Sequence, residues 1–329
     1  MTEGSRPGAG TLEAPTGVPF DPAATLERLA EETASAIRAL QRRGAVVAVS
    51  GGVDSGVCAA ICVRALGPER VLCLRLPERD VGDASSDLGL KLAESLGAPT
   101  VEEPITAALD ALGCYRLRDE AIRQVFPDYQ PDWRHKLVRS EPGTVTFFSL
   151  VVMRPDGTEE RRRMPPQPYR ELIAATNMKQ RVRKLYEYTW ADRLGYAVIG
   201  TPNLLEYDQG IFVKGGDGLA DVKTIAKLLK SQVYALADAM DLPAEIATRA
   251  PTTETFSLPQ SQEEFFFGHP YERMDLLIWA EARGEAADEL APRVGLAPEE
   301  VDAAYREIRR RRETAEYLHS PAVIADPGI

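Results

Sequence analysis

Residues 45–66 read AVVAVSGGVDSGVCAAICVRAL. The run 46–49 is apolar without alternation, the pattern of a strand buried on both faces of a parallel sheet. It ends at Ser50-Gly51-Gly52. From 54 to 66, Val57, Ala60, Ile61 and Leu66 recur at helical spacing, and Gly67-Pro68 stops the helix. The turn between them, Ser50-Gly51-Gly52-Val53-Asp54-Ser55, has the makings of a phosphate cradle. Its glycines let backbone N–H groups approach a ligand, the helix dipole favours an anion, and two serine hydroxyls can donate to phosphate oxygens. The Gly-Lys-Ser/Thr ending of loops that transfer a γ-phosphate is missing. The plainer alternative is a glycine turn that only lets strand and helix pack closely.

Outward from this unit the same rhythm repeats. Residues 71–76 read as a second buried strand, 87–96 as an amphipathic helix closed by Gly97, 180–194 as a helix and 197–199 as a strand. A long helix is expected over 224–240, where Ile225, Leu228, Leu229, Val233, Leu236 and Met240 share one face. Alternating strands and helices predict an α/β fold with a doubly wound parallel sheet. The stretch of about 115–169 breaks the rhythm with Trp133, several prolines and a hairpin turning at Pro155-Asp156-Gly157, and reads as an insertion. Residues 271–316 are expected to be helical and solvated. The expected organisation is a flexible tail over 1–22, an α/β domain over 23–268 carrying the insertion, and a helical region with a tail over 269–329.

Composition excludes several classes of function. With 39 Lys and Arg against 50 Asp and Glu, the net charge of −11 argues against nucleic acid as a partner. No apolar run approaches the roughly 18 residues of a membrane span, and residues 1–20 lack the basic start and apolar stretch of a signal peptide, so a cytoplasmic protein with no membrane partner is expected. Cys58, Cys62, Cys73 and Cys114 form no CxxC pair, and His135, His269 and His319 complete no zinc-ligand spacing; structural free thiols are expected. No Ser-His or Cys-His arrangement suggests a nucleophile. The runs 161–163 and 309–312 of arginine read as solvated surface.

The loop SGGVDS resembles the SGGxDS loop of the PP-loop ATP pyrophosphatases, which cleave ATP between the α and β phosphates. Further blocks narrow the resemblance to the ammonia-dependent NAD synthetases: NMKQRVR at 177–183, GTPNLLEYDQG at 200–210, VKGGDGLADV at 213–222, LLKSQVYALA at 228–237, and RAPT at 249–252 followed by Gln260 and Gln262-Glu263-Glu264. The blocks stand in the family's order and run from about residue 46 to 268, with a gap at the insertion.

The resemblance implies an AMP-forming carbon–nitrogen ligase of Rossmann-like PP-loop fold. It would adenylate the carboxylate of deamido-NAD with ATP, release pyrophosphate, and let ammonia displace AMP. Ser50, Gly51, Gly52, Val53, Asp54, Ser55, Arg75, Thr201, Lys230 and Thr252 match ATP-binding positions. Asp54 and Glu206 match carboxylates that hold Mg²⁺, an ion suited by oxygen ligands and retained waters. Asp54 and Lys230 carry the chemistry, Lys230 by placing a cation where charge builds on departing pyrophosphate. Arg181, Lys214 and Asp221 match positions that bind deamido-NAD. Read without the resemblance, Glu206 is a helix-entry acid, Lys230 a solvated lysine, Arg75 a strand-end charge and Arg181 a solvated helix face. Free ammonia or a separate glutaminase supplies the nitrogen, and a homodimer is expected by analogy. The insertion, a His319-Ser320 pair where the family often has His-Lys, and the apolar continuation Pro202-Asn203-Leu204-Leu205 leave open an alternative: an amide synthetase of the same kind acting on a different carboxylate in specialised metabolism.

Overall fold

The computed structural model describes residues 18–80, 83–140, 147–249, 256–258 and 269–326. Five parallel strands form the main sheet: β1 (Ala45–Ala48), β2 (Val71–Arg75), β3 (Thr100–Glu102), β7 (Ala197–Gly200) and β8 (Val222–Lys223), in the order β3-β2-β1-β7-β8. Successive residues of β1 feed opposite faces. Ala45 and Val47 join a core with α1 (Pro22–Ala39), α2 (Val53–Leu66), α3 (Asp83–Ser95) and α8 (Lys230–Ala239), while Val46 joins the core beneath α4 (Thr106–Ala111), α5 (Cys114–Arg123) and α6 (Pro166–Leu194). Helices cover both faces, so the sheet is doubly wound as the strand–helix alternation predicted. All four cysteines are free and buried, and burial pushes the Cys58 and Cys73 thiols up to about 12. Among the described residues no helix is long and apolar enough to cross a membrane.

The inserted stretch contains the expected hairpin. Strands β5 (Phe148–Met153) and β6 (Glu159–Arg163) pair antiparallel, Arg154 and Gly157 close the turn, and β4 (Arg134–Arg139) adds a third strand on the far side of β5. Its apolar face, Leu137, Leu150 and Val152, packs with Phe126, Tyr129 and Leu172 into a separate small core.

Three expectations need correcting. The helix expected from 224 begins only at Lys230, because Leu229 is extended (ψ 154°) and the buried Asp275 carboxylate accepts from the N–H groups of Lys230 and Ser231, at 3.1 and 2.8 Å. Ile225, Leu228 and Leu229 are buried as expected, but on an irregular segment whose Thr224 hydroxyl donates to Cys58. The region 271–316 is helical, as α10 (Tyr271–Arg283), α11 (Ala287–Val294) and α12 (Pro298–His319), yet it is not a solvated appendage. Met274, Leu277, Leu290, Val301 and Ile308 form a core of their own that also takes in Leu205 and Leu229. Of the tail over 1–22, the described part is fixed: Val18 is buried in that same core and Asp21 caps α1 by accepting from Ala24 N–H at 3.0 Å.

Candidate active site

The chain runs from β1 outward to β2 and β3, then returns to the other side of β1 for β7 and β8. That reversal makes the crevice beyond the carboxyl ends of β1 and β7 the place where an open α/β sheet binds ligands. Residues 50–55 leave β1 into it, and residues 201–206 leave β7 into it.

Local chemistry shapes the first loop. Gly51 has φ +76°, a conformation that side chains other than glycine's resist. Ser55 Oγ donates to Gly52 O at 2.9 Å and accepts from Ser50 N–H at 3.3 Å, while Ser50 Oγ accepts from Gly52 N–H at 3.3 Å. The loop therefore holds its shape by itself. Gly52 stands at the N-cap of α2 without a side chain to satisfy the helix's first N–H groups, which with the dipole suit an anion. Val53 turns its side chain into the core, so only its backbone can face a ligand.

Asp54, Asn203, Glu206 and Lys230 meet across the crevice. Lys230 Nζ pairs with Asp54 Oδ2, and Asn203 Nδ2 donates to Asp54 Oδ1 at 3.2 Å. Asn203 Oδ1 accepts from Glu206 N–H at 3.1 Å and Glu206 Oε2 accepts from Asn203 N–H at 3.1 Å, a capping box that starts the short helix α7 (Leu204–Asp208). Lys230 is not the solvated lysine of the plainer reading: it is fully buried. Burial pulls its pKa down, but Asp54 and Glu206 outweigh that and raise it above the ordinary lysine value. The site thus keeps a permanent cation beside two carboxylates. Asn203 and Asp275 hold two of its members in place, and the sequence reading gave neither a role in the site. The Asn-x-x-Glu spacing was a usable sign of the first; nothing local marks the second.

The remaining candidates divide. Thr201 follows β7 directly and is half-buried at the crevice. Arg75 ends β2 and reaches sideways to Glu102 at 2.6 Å. Thr252, Gln260 and Gln262-Glu263-Glu264 lie outside the described residues. Arg181 is exposed on α6 and its Nε donates to Lys214 O at 3.4 Å. Lys214 Nζ caps the end of α12 on Tyr317 O and Ser320 O, at 2.6 and 3.0 Å. Asp221 accepts from Val198 N–H at 2.7 Å and from the Tyr188 hydroxyl at 3.2 Å, tying the 213–222 loop to β7 and α6. Gly200 permits that approach, since a Cβ there would lie 2.8 Å from Ala220 Cβ. Within the loop Asp217, not singled out by the sequence reading, accepts from Val213 N–H at 2.7 Å, and α6 carries the buried ion pair Lys184–Glu187 at 2.6 Å; burial raises the Asp217 and Glu187 carboxyls. His319 Nε2 is 2.9 Å from Tyr207 O, beside the Tyr207 and Phe212 rings.

The donor set fits a magnesium ion brought in with a nucleotide. A carboxylate offers about four acceptor sites, so the hydrogen bonds on Asp54 and Glu206 leave lone pairs for a cation. Among the described residues there is no group of three or more ligating side chains. Mg²⁺ is an ion that proteins hold through one or two carboxylates together with substrate phosphates.

The NAD synthase family model matches residues 25–127 and 158–319, omitting most of the inserted sheet. The NH(3)-dependent NAD(+) synthetase of Rhizobium meliloti is 47% identical over 311 residues, covering 94% of this chain and 93% of its own. That of Rhizobium rhizogenes is 45% identical over 94% of each. Two solved structures share the fold at 21% identity: an NMN synthetase from Francisella tularensis (TM-score 0.65, 93% of this chain and 99% of that one) and an NH3-dependent NAD synthetase from Campylobacter jejuni (TM-score 0.61, 93% and 100%). Matched by that family model over most of its length and by these two relatives at 47% and 45% identity, the chain belongs to the NAD synthase family.

Proposed function

We propose that this protein makes NAD from deamido-NAD, ATP and ammonia, releasing AMP and pyrophosphate. The observation that carries the reading is the buried Lys230 cation, paired with Asp54 of the phosphate loop. In that position it faces the charge that develops as pyrophosphate leaves. Ser50, Gly51, Gly52, Val53 and Ser55 cradle phosphate oxygens through backbone N–H groups and hydroxyls; Thr201 and Thr252 contact ATP, and Arg75 supports the nucleotide side. Asp54 and Glu206 would hold Mg²⁺, which when bound would neutralise phosphate charge. The carboxylate of the substrate attacks the α-phosphorus, and ammonia then attacks the acyl-adenylate. The residues need only position the reactants and stabilise charge. Arg181, Lys214 and Asp221 line the acceptor side, where Arg181 already rests on the Lys214 backbone. The reading includes free ammonia or a separate glutaminase as nitrogen source, a cytoplasmic location and a homodimer, the last checked by light scattering.

The test is NAD, AMP and pyrophosphate formation by purified protein given Mg-ATP, ammonium and deamido-NAD, with Asp54→Ala as control. Stoichiometric products that vanish in the control support the reading. ATP binding without turnover of deamido-NAD favours a different carboxylate.

A further inference from the structure

The arginine run 309–312, expected as solvated surface, is so only in part. Arg309 and Arg310 are exposed, whereas Arg311 and Arg312 are half-buried. Arg312 Nε donates to both carboxylate oxygens of Asp208 at 2.8 Å, and its Nη1 pairs with Glu281 Oε2. Glu281, whose side chain is 7% exposed, also accepts from Arg309 Nε at 2.7 Å. Two carboxylates and two guanidinium groups thus join α7, α12 and α10 in one partly buried network, an arrangement in which ion pairs are worth more than singly at the surface.

The helix α7 has reason to need outside support. It is a single turn of five residues, and a helix that short does not hold itself in water. Asp208, its last residue, is a poor choice for the helix alone, because a carboxylate there stands at the negative end of the dipole, where a cation is favoured. The last turn has no basic residue of its own, and Arg312 supplies the cation from 104 residues away.

Other contacts from the C-terminal helices fall on the same segment. Leu205 lies in their core, and His319 Nε2 is 2.9 Å from Tyr207 O. Gly210 runs so near α12 that a Cβ there would lie 2.7 Å from Ala315 Cβ. The turn is therefore pinned at its start to the phosphate loop, through Asn203 and Asp54, and at its end to α12, through Asp208 and Arg312. Glu206 lies between these two anchors. It is two residues from Asp208, about 3 Å along the helix axis, so a shift of the end of the turn carries the Glu206 carboxylate with it.

We propose that Arg312 and Asp208 are positioning residues for Glu206: through their ion pair the C-terminal helices set where the one-turn helix presents its carboxylate. The role rests on the reading of Glu206 as a carboxylate that holds Mg²⁺ with ATP. It gives part of the arginine run a task in the nucleotide half of the site.

The experiment reads amide hydrogen exchange in the full chain without metal or nucleotide. Tyr207, Gln209 and Ile211 report on the turn, since their N–H groups donate to Asn203 O, Leu205 O and Glu206 O. Beside it, the Mg²⁺ concentration for half-maximal NAD formation is measured at saturating ATP. Arg312→Gln removes the cation at similar length, and Asp208→Asn removes the anion without changing its shape. Expected in both is exchange faster by about tenfold, the scale of one charge-assisted hydrogen bond, and a Mg²⁺ requirement raised about five- to tenfold. Asp208→Asn separates the brace from local helix preference: relief of the dipole alone would slow exchange, and loss of the brace speeds it. Arg309→Gln breaks the other pair on Glu281, leaves α7 untouched and should change neither readout.

Exchange unchanged or slowed in Asp208→Asn, a Mg²⁺ requirement unchanged in Arg312→Gln, or equal shifts in Arg309→Gln overturns the proposal. Glu206→Gln, measured alongside, keeps two failures apart. If it does not raise the Mg²⁺ requirement, the reading of Glu206 falls and this inference with it; if it does while Arg312→Gln is unaltered, this inference falls alone. Asp208→Asn, at the exposed end of the pair's reach, answers the same question where Arg312→Gln does not fold.

Discussion

The Asn203 side-chain amide donates to Asp54 Oδ1 at 3.2 Å, joining the loop that leaves β1 to the loop that leaves β7. The same side chain accepts from Glu206 N–H through its oxygen. Asn203→Ala therefore removes both the helix cap and the brace on Asp54. Loss of a cap costs about 1 kcal/mol of stability. Loss of the brace should lower kcat by about tenfold, since small displacements of charged groups are costly in a pre-organised site. Melting curves and initial rates separate the two effects.

Asp54 and Lys230 should respond unequally to removal. Asp54→Ala strands a fully buried ammonium and is expected to cost about 3 kcal/mol of stability as well as activity. Lys230→Met puts an apolar side chain of similar length in the same buried place. It should destabilise less than Asp54→Ala, yet reduce kcat/KM by about a thousandfold, the scale of losing one strong electrostatic contact to the transition state. Denaturant titration beside kinetics checks the order; a Lys230→Met protein less stable than Asp54→Ala contradicts it.

His135 predicts acid sensitivity. Its pKa is depressed to about 3 in the folded protein from 6.5, so below pH 6.5 the unfolded chain binds the extra proton and the folded one does not. Stability falls as pH drops from 6.5 towards 3, by about 2 kcal/mol between pH 7 and pH 5 from this group. In His135→Asn that slope should flatten. Asp80 acts in a lower window. Burial opposes its ionisation, but Lys179 and Arg118 hold it at about 2, so its contribution is lost between pH 3.8 and 2. Unfolding free energy against pH in both proteins is the measurement.

Asp221 is wired as a brace between the 213–222 loop, β7 and α6. Its bonds to Val198 N–H and Tyr188 predict that Asp221→Ala lowers stability by about 1–3 kcal/mol through the unsatisfied strand amide. If the residue also binds deamido-NAD, KM for that substrate rises while KM for ATP holds. Equal change in both KM values marks a purely structural role.

Lys214→Ala should free the end of α12, where its ammonium meets Tyr317 O and Ser320 O. Hydrogen exchange at residues 317–322 is expected to rise by about tenfold, with exchange in α10 unchanged.

By itself the sequence determined the α/β class and the strand–turn–helix unit that carries the 50–55 loop. The reason is that β1, that glycine turn and α2 are contiguous: apolar run, glycines and helical spacing all act over 22 residues, and each local preference agrees with the final fold. The hairpin at 154–158 was legible on the same grounds, because its turn residues and strands are neighbours. What the tertiary structure decided are the contacts that join distant parts of the chain. Helix spacing over 224–240 was real, but Asp275, 45 residues beyond Lys230, decides where α8 starts and buries that lysine. Asn203 braces Asp54 across 149 residues, and Arg312 holds Asp208 across 104. Val18 and α10 to α12 belong to one core that no periodicity in either segment announces. Hydrophobic spacing states which face of an element is buried and is silent on what buries it; that partner is chosen only when the elements pack.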